Sequence, residues 1–403
     1  MSRILYVSQY FVRDDQPGGV RHWQHTRALA RAGHDVEVVT SYVQHKEREV
    51  PERYRGRRVV REEEDGLVVW RTYATPGYGR DLRSRVSNYG TFAWWATVAG
   101  ARAGRPDVVV ASSPSLPAAA GAAAVARARG ARFLLEVRDL WPDSAVAMGL
   151  VSDPRMIGVA RRLERFCYSR AERVIALTEG IRDGVVAGGV PPARVELITN
   201  GVDLEMSNGA EPASEVPGKD ADFVAMYVGA HGTYNALDGV LAAAERLRGE
   251  PIQIVLVGGG DRKDALVAEA EERGLDNVAF RDPVPKRDVP RWLAAADACV
   301  LPYQDVELFS GALPNKTFDY LAAARPLVVS APPGELTRLV EQAGCGVSVP
   351  AEDPEALAGA LRAMAADPQG AREMGRRGAE YARRHYDRAA LAERFVRTVE
   401  SLA

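Results

Sequence analysis

Short apolar runs alternate with helical stretches along almost the whole chain. Ile4–Ser8 reads as a strand, followed by a glycine loop and a helix over roughly Val20–Ala32 that ends at Gly33. Val36–Thr40 and Leu67–Tyr73 are the next strands, the second after a charged insertion whose acidic run Glu62–Asp65 reads as solvated loop. Asp107–Ser112 and Arg132–Val137 flank the alanine-rich helix Ala118–Arg129, and Val174–Leu177 and Val195–Ile198 complete the first half. A polar stretch, Ser207–Asp222, then interrupts the pattern. It restarts with Phe223–Val228, Ile252–Val257, Val278–Phe280, Ala298–Leu301, Leu327–Val329 and Val347–Val349. Strands alternating with helices predict parallel sheets covered on both faces. Two doubly wound α/β domains are therefore expected, residues 1–200 and 222–384, joined by a linker at 201–221. Such sheets bind ligands at strand carboxyl ends, so a cleft faced by both domains is the expected site. In the last segment, Leu391, Phe395, Val399 and Leu402 recur at helical spacing. Residues 385–403 are expected to form a helix that crosses back onto the first domain.

Composition narrows the function classes. At 403 residues the chain is long for one core, which agrees with two domains. With 46% apolar and 26% charged residues it fits a globular enzyme, and a formal net charge of −2 argues against nucleic-acid binding. Cys167, Cys299 and Cys345 form neither a disulfide framework nor a metal-type spacing, so a reducing cytoplasm is expected. The N-terminal MSRILYVSQYF reads as a first strand, and no apolar run approaches the roughly 18 residues of a membrane span. His22, His25, His34, His45, His231 and His385 do not cluster with acids at ligand spacing, so no metal is expected.

One stretch concentrates candidate chemistry: Phe309–Pro326, FSGALPNKTFDYLAAARP. It opens with the small loop Ser310-Gly311-Ala312, and a proline then precedes a helix start. Lys316 and Asp319 lie three apart on that helix and can point into one space. The free N–H groups of a helix N-terminus suit an anion such as phosphate. A cation beside it strengthens the site, and a carboxylate just below accepts sugar hydroxyl protons. A surface Lys/Asp pair is the plain alternative.

Other candidates sit on loops after strands. Gln16–Arg21 places paired glycines, Gly18 and Gly19, where a backbone can approach a diphosphate; a plain tight turn is the alternative. It is not a GxGxxG fingerprint, and no P-loop GKS occurs, so NAD binding and ATP hydrolysis are unsupported. Arg138–Asp143, RDLWPD, offers a rigid Trp-Pro wall, with Asp139 or Asp143 to orient or deprotonate an acceptor hydroxyl. A helix-capping Asp with an Arg partner explains it too. Gly229–Asn235 suits a phosphate through Gly229, Gly232 and Thr233, with His231 either a ligand contact or a loop histidine. Gly258–Lys263 allows close approach at Gly259 and charge from Arg262, or is a generic strand-to-helix turn. Finally, Arg80–Arg105 mixes Arg80, Arg83 and Arg85 with Tyr89, Phe92, Trp94 and Trp95. That suits peripheral membrane contact through Arg80–Trp95, or else a partly buried helix.

Taken together the motifs resemble the family-four retaining glycosyltransferases of GT-B architecture, two Rossmann-like domains facing a cleft. The carriers are the Pro17-Gly18-Gly19 loop with ALARAGHDVEVVT, ITNGVD at Ile198–Asp203, VGGG at Val257–Gly260, and LPNKTFDYLAAARPLV at Leu313–Val328. RDLWPDS at Arg138–Ser144 is similar to a bacterial N-acetylhexosamine and fucosamine transferase branch of surface-polysaccharide synthesis. The resemblance implies a nucleotide-sugar, UDP-linked, as co-substrate in the second half, an acceptor in the first, and no cofactor or metal. It implies that Asp319 holds the ribose hydroxyls, that Lys316 and the Gly229–Thr233 loop meet the diphosphate, and that Gly19 approaches it from the first domain, with Asn315 among the donor-binding residues. The chain departs from the family twice. Family members carry two acidic residues with seven positions between them, and here the first position is Gly311. The Asp220–Glu245 segment also lacks the usual Arg and Lys, so Lys316 with Arg262 or Lys263 has to supply that charge. A nucleotide-sugar epimerase, a GDP-mannose-dependent transferase and a non-catalytic sugar-nucleotide binder remain as alternatives.

Overall fold

The computed structural model describes residues 1–13, 20–43, 49–76, 82–207, 209–217 and 222–403. The chain forms two compact units, one running to Thr199 and taking in Ala392–Ala403, the other Asn200–Leu391.

In the first unit the strands are β1 (Arg3–Val7), β2 (Asp35–Ser41), β3 (Val59–Glu64), β4 (Leu67–Thr72), β5 (Val108–Ser112), β6 (Arg132–Val137), β7 (Arg173–Ala176) and β8 (Val195–Leu197). They form one sheet in the order β3-β4-β2-β1-β5-β6-β7-β8, parallel except for the β3–β4 pair. Central strands such as β5 are buried along their whole length, because helices cover both faces. Strand β3 corrects the loop expected at Glu62–Asp65. Glu62 and Glu64 alternate onto one face and grip Arg71 of β4 at 2.8 and 2.6 Å, so an acidic run becomes an edge strand.

The helices Leu82–Arg102, Leu116–Arg129 and Pro154–Arg170 share one core with the sheet, built largely from alanines. Within the first of them Tyr89 and Phe92 are buried while Trp94 is exposed, so these aromatics do not share one face; Arg80 lies outside the described residues. A helix, Arg388–Glu400, forms within the terminal segment as expected, and another, Pro368–His385, precedes it. The break is a single bridge: the Val202 N–H donates to the Tyr386 carbonyl and the Arg388 N–H donates to the Val202 carbonyl. A side chain at Gly201 would meet that Tyr386 carbonyl at 2.6 Å, which explains the glycine there. From Ala392 onward the last helix packs in the first unit. Phe395 is fully buried, stacked on His25 at 4.0 Å and edge-on to Tyr6.

The second unit holds β9 (Phe223–Val228), β10 (Ile252–Val257), β11 (Val278–Arg281), β12 (Ala298–Pro302), β13 (Leu327–Ser330) and β14 (Gly346–Val349). Its sheet is parallel throughout, ordered β11-β10-β9-β12-β13-β14. The β9–β12 pairing covers only Ala225–Ala298 and Met226–Cys299, so it ends before β9 does. There the buried Tyr320 hydroxyl accepts from the Val228 N–H at 2.7 Å and donates to the Val228 carbonyl at 3.0 Å. It fixes the helix Asn315–Ala322 against the point where β9 becomes a loop.

Tyr320→Phe should cost about 1–3 kcal/mol, because both Val228 backbone groups lose their partner. Urea denaturation checks this, as a lower midpoint with unchanged slope.

Candidate functional site

Lys316 occupies the first turn of the helix that Tyr320 anchors. It is half-buried, and its Nζ donates to the Tyr227 hydroxyl at 2.7 Å and to Asn235 Oδ1 at 2.9 Å. The ammonium lies over the Tyr227 ring at 4.3 Å and the Tyr303 ring at 5.2 Å, a cation–π enclosure. No carboxylate among the described residues forms an ion pair with it. Burial lowers its pKa from 10.5 to about 7. An enclosed cation held by neutral groups is costly unless an anion joins it, so the arrangement selects for one.

Two loops frame this ammonium. Gly258 has φ +152, and a Cβ there would meet the Gly229 carbonyl at 1.8 Å, so glycine lets the loops touch. The His231 N–H donates to the Gly259 carbonyl and the Arg262 N–H to the His231 carbonyl, both at 3.0 Å. The His231 side chain is fully buried near Tyr227 and Phe280, and neither ring nitrogen has a hydrogen-bond partner among the described residues. Burial, then Lys263 and Lys316, lowers its pKa to about 4, so the imidazole is neutral near pH 7. After Gly232, the short turn Thr233–Asn235 delivers Asn235 to Lys316. Arg262 and Lys263, expected to add charge to a diphosphate, are instead committed to carboxylates: Arg262 to Asp238 and Lys263 to Asp282.

Lys316 and Asp319 do not share the single space expected from their spacing. Asp319 pairs with Lys286 and lines a separate small pocket with Val202, Asp203 and Arg388. Asn315 is exposed beside Lys316. Gly311 closes the short turn Glu307–Gly311.

In the first unit, Gly18 and Gly19 lie outside the described residues. Beyond β6, Arg138 donates to His22 Nε2 at 2.9 Å. Beneath it Glu136 is wholly buried, accepting from Arg21 Nε at 2.8 Å and from Ser112 Oγ at 2.9 Å. Burial pushes its carboxyl up, but attraction from Arg21, then the two histidines and Arg138, overrides this and holds it below the usual range. Burial and Arg138 lower His22 to about 3, so it is the neutral imidazole that accepts from Arg138. Arg21 also donates to the Ile198 and Thr199 carbonyls at 2.8 and 2.6 Å. Burial raises the Asp139 carboxyl above the usual range, opposed by the nearby Ser144, the Leu140 N–H and Arg138. Asp143 is turned to the surface and paired with Arg161, away from any such role in this arrangement.

Sequence reading missed several members of these sites. Tyr227 was absorbed into an apolar strand, and Asn235 into a loop named for its glycines. Lys286 is 33 residues from Asp319, with no pattern linking them. Glu136 did leave a signal, a lone carboxylate inside the apolar run RFLLEV.

Comparisons with known proteins divide the chain at the same place. The family described as glycosyl transferase 4-like domain matches residues 18–201, and that described as glycosyl transferases group 1 matches 222–367. A candidate colanic acid biosynthesis glycosyl transferase of Escherichia coli (strain K12), WcaI, is 27% identical over 92% of this chain and 93% of its own. A D-inositol 3-phosphate glycosyltransferase of Frankia alni is 30% identical over 61% of this chain and 63% of its own. Among solved structures, sucrose-phosphate synthase from Thermosynechococcus elongatus superposes with TM-score 0.75 at 20% identity, covering 100% of this chain and 99% of that one. HepE of Anabaena, in complex with UDP and glucose, superposes with TM-score 0.72 at 15% identity over the full length of both. At these identities the superpositions establish a shared GT-B fold.

Two outcomes follow from the buried charges. Inorganic diphosphate should bind with proton uptake above pH 7, and its affinity should fall as pH rises because Lys316 must be protonated to meet it. Calorimetry at pH 8 in buffers of different ionisation heat reads the uptake, and Lys316→Met should abolish the difference. Glu136→Gln should destabilise the protein by about 3–5 kcal/mol by removing the counter-charge of the buried Arg21 guanidinium. A carboxyl held below its unfolded value stabilises the fold above that value and loses the effect as pH falls through the folded one. The variant should therefore lack this part of the acid dependence seen in denaturation curves.

Proposed function

The chain belongs to the glycosyltransferases, a 4-like domain followed by a group 1 domain, and from that premise we propose that it transfers a sugar from a UDP-linked donor to an acceptor hydroxyl with retention of configuration. The sugar is a hexose or N-acetylhexosamine, and the acceptor is a glycan, lipid-linked or natural-product hydroxyl. The observation that carries the reading is Lys316, an enclosed ammonium with no carboxylate partner among the described residues, set against the Gly229 loop. Support also comes from the likeness to HepE, named as binding UDP and glucose, and to a relative named for colanic acid synthesis.

As the bond from sugar to diphosphate breaks, negative charge gathers on the leaving group. Lys316 meets that charge inside an enclosure of Tyr227, Tyr303 and Asn235, where a fixed cation acts without reorganising water. Asp319, with Lys286 beside it, takes the ribose hydroxyls. Arg138 orients the acceptor, and Asp139 accepts its proton. Gly311 leaves no carboxylate for the donor sugar, whose hydroxyls then rely on other groups of the loops.

A UDP-release screen over UDP- and GDP-sugars, with mass spectrometry of products, tests the reading. Turnover with a UDP-hexose or UDP-N-acetylhexosamine is expected; turnover with GDP-mannose alone overturns the donor assignment. A donor converted with no acceptor present identifies an epimerase instead. Lys316→Ala should lower turnover by on the order of 100-fold or more while the fold persists by circular dichroism.

A further inference from the structure

The helices Leu82–Arg102, Leu116–Arg129 and Pro154–Arg170 form one layer of the first unit, with Leu116–Arg129 in the middle. Their sequences contain ten arginines and one acidic residue, Glu164, in a chain whose net charge is −2. Glu164 is buried and tied to Tyr168 and Arg161, so it does not offset charge at the surface.

The outer face of Pro154–Arg170 alternates basic and apolar side chains. Arg155, Arg162, Arg165 and Arg170 are exposed, and none makes an ion pair among the described residues. Between them Val159 is 61% and Phe166 36% exposed. On the far side of the layer the helix Leu82–Arg102 exposes two large apolar side chains: Val86 is 51% and Trp94 67% exposed, about two turns apart through Gly90. A layer that leaves a phenylalanine in water among arginines on one flank, and a tryptophan in water on the other, presents the two halves of an interfacial anchor. Arginines meet anionic headgroups, and the rings enter the headgroup boundary. No helix among the described residues is long and apolar enough to cross a membrane, so contact here is lateral.

We propose that this outer face of the helix layer docks the protein on an anionic lipid bilayer, with the arginines of Pro154–Arg170 giving attraction and Trp94, Val86, Val159 and Phe166 giving insertion. The segment Arg80–Trp95 alone is not the anchor, since Tyr89 and Phe92 point into the core. Charge complementarity selects the bilayer, and the exposed rings distinguish it from a dissolved polyanion, which gives a ring no apolar phase to enter. The assignment rests on this surface alone and stands apart from the sugar-transfer reading.

Sedimentation of the full chain with phosphatidylcholine vesicles, with and without 30% phosphatidylglycerol, tests it. Binding to the anionic vesicles is expected, weakening as salt rises. The variant Arg155→Gln/Arg162→Gln/Arg165→Gln should lose about fivefold in partition for each arginine removed. Trp94→Ala/Phe166→Ala should lose binding that salt does not restore. All are surface substitutions, and melting curves confirm the fold. No binding, equal binding to the neutral vesicles, or binding unchanged in the arginine variant overturns the proposal. So does competition by heparin when the Trp94/Phe166 variant binds vesicles as well as the wild type, which would make the face a general polyanion site.

Discussion

One hydroxyl fixes the geometry of the second unit. The ladder between β9 and β12 stops two residue pairs in, leaving the end of β9 without a neighbour on that side. Tyr320 supplies both missing bonds through one oxygen, so the start of the helix Asn315–Ala322 and the turn into the Gly229 loop are set by a single atom. Lys316 is carried on that helix and Tyr227 on that strand, and their contact at 2.7 Å follows from the same join.

The two units treat buried charge in opposite ways. Glu136 is surrounded by its own cations and donors, so its charge is neutralised internally and serves structure: Arg21 links β6 to the carbonyls that follow β8. Lys316 is enclosed by hydroxyl, amide and ring faces, none of which carries a negative charge. A fully paired buried ion is weak evidence for chemistry, whereas an enclosed ion lacking a counter-charge marks a place where a ligand completes the electrostatics. The distinction is sharpened by Arg262 and Lys263, which stand in the same unit yet spend their charge on Asp238 and Asp282.

Much of the architecture was legible because apolar runs and glycine loops alternate at regular spacing, and that pattern is local. β3 was not, since an edge strand facing Arg71 is written in glutamates, and a run of glutamates reads as solvent-facing. The halves of the functional site were legible to different degrees. Lys316 announced itself at a helix start, but its neutral partners came from an apolar strand and a loop more than eighty residues away. The Asp319–Lys286 pair likewise depends on tertiary contact, and the helix spacing that suggested a shared space for Lys316 and Asp319 carries no information about what each side chain meets. The charge asymmetry of the helix layer was visible only in part. Its aromatics were read as one segment, and its arginines lie mainly on another helix that only the fold brings alongside.

The seat of Phe395 bears on how the chain is made. The first unit is not continuous in sequence: its ring stack on His25 and its contact with Tyr6 wait for residues 392–403, after the whole second unit has been translated. A nascent first half therefore emerges with an open apolar slot beside β1, and folding from the N-terminus can approach the native state without reaching it. Completion waits for residues 392–403, which follow the whole second unit in the chain. Cutting the gene at the linker, although it falls at a clean boundary between sheets, would separate a domain from its own final piece.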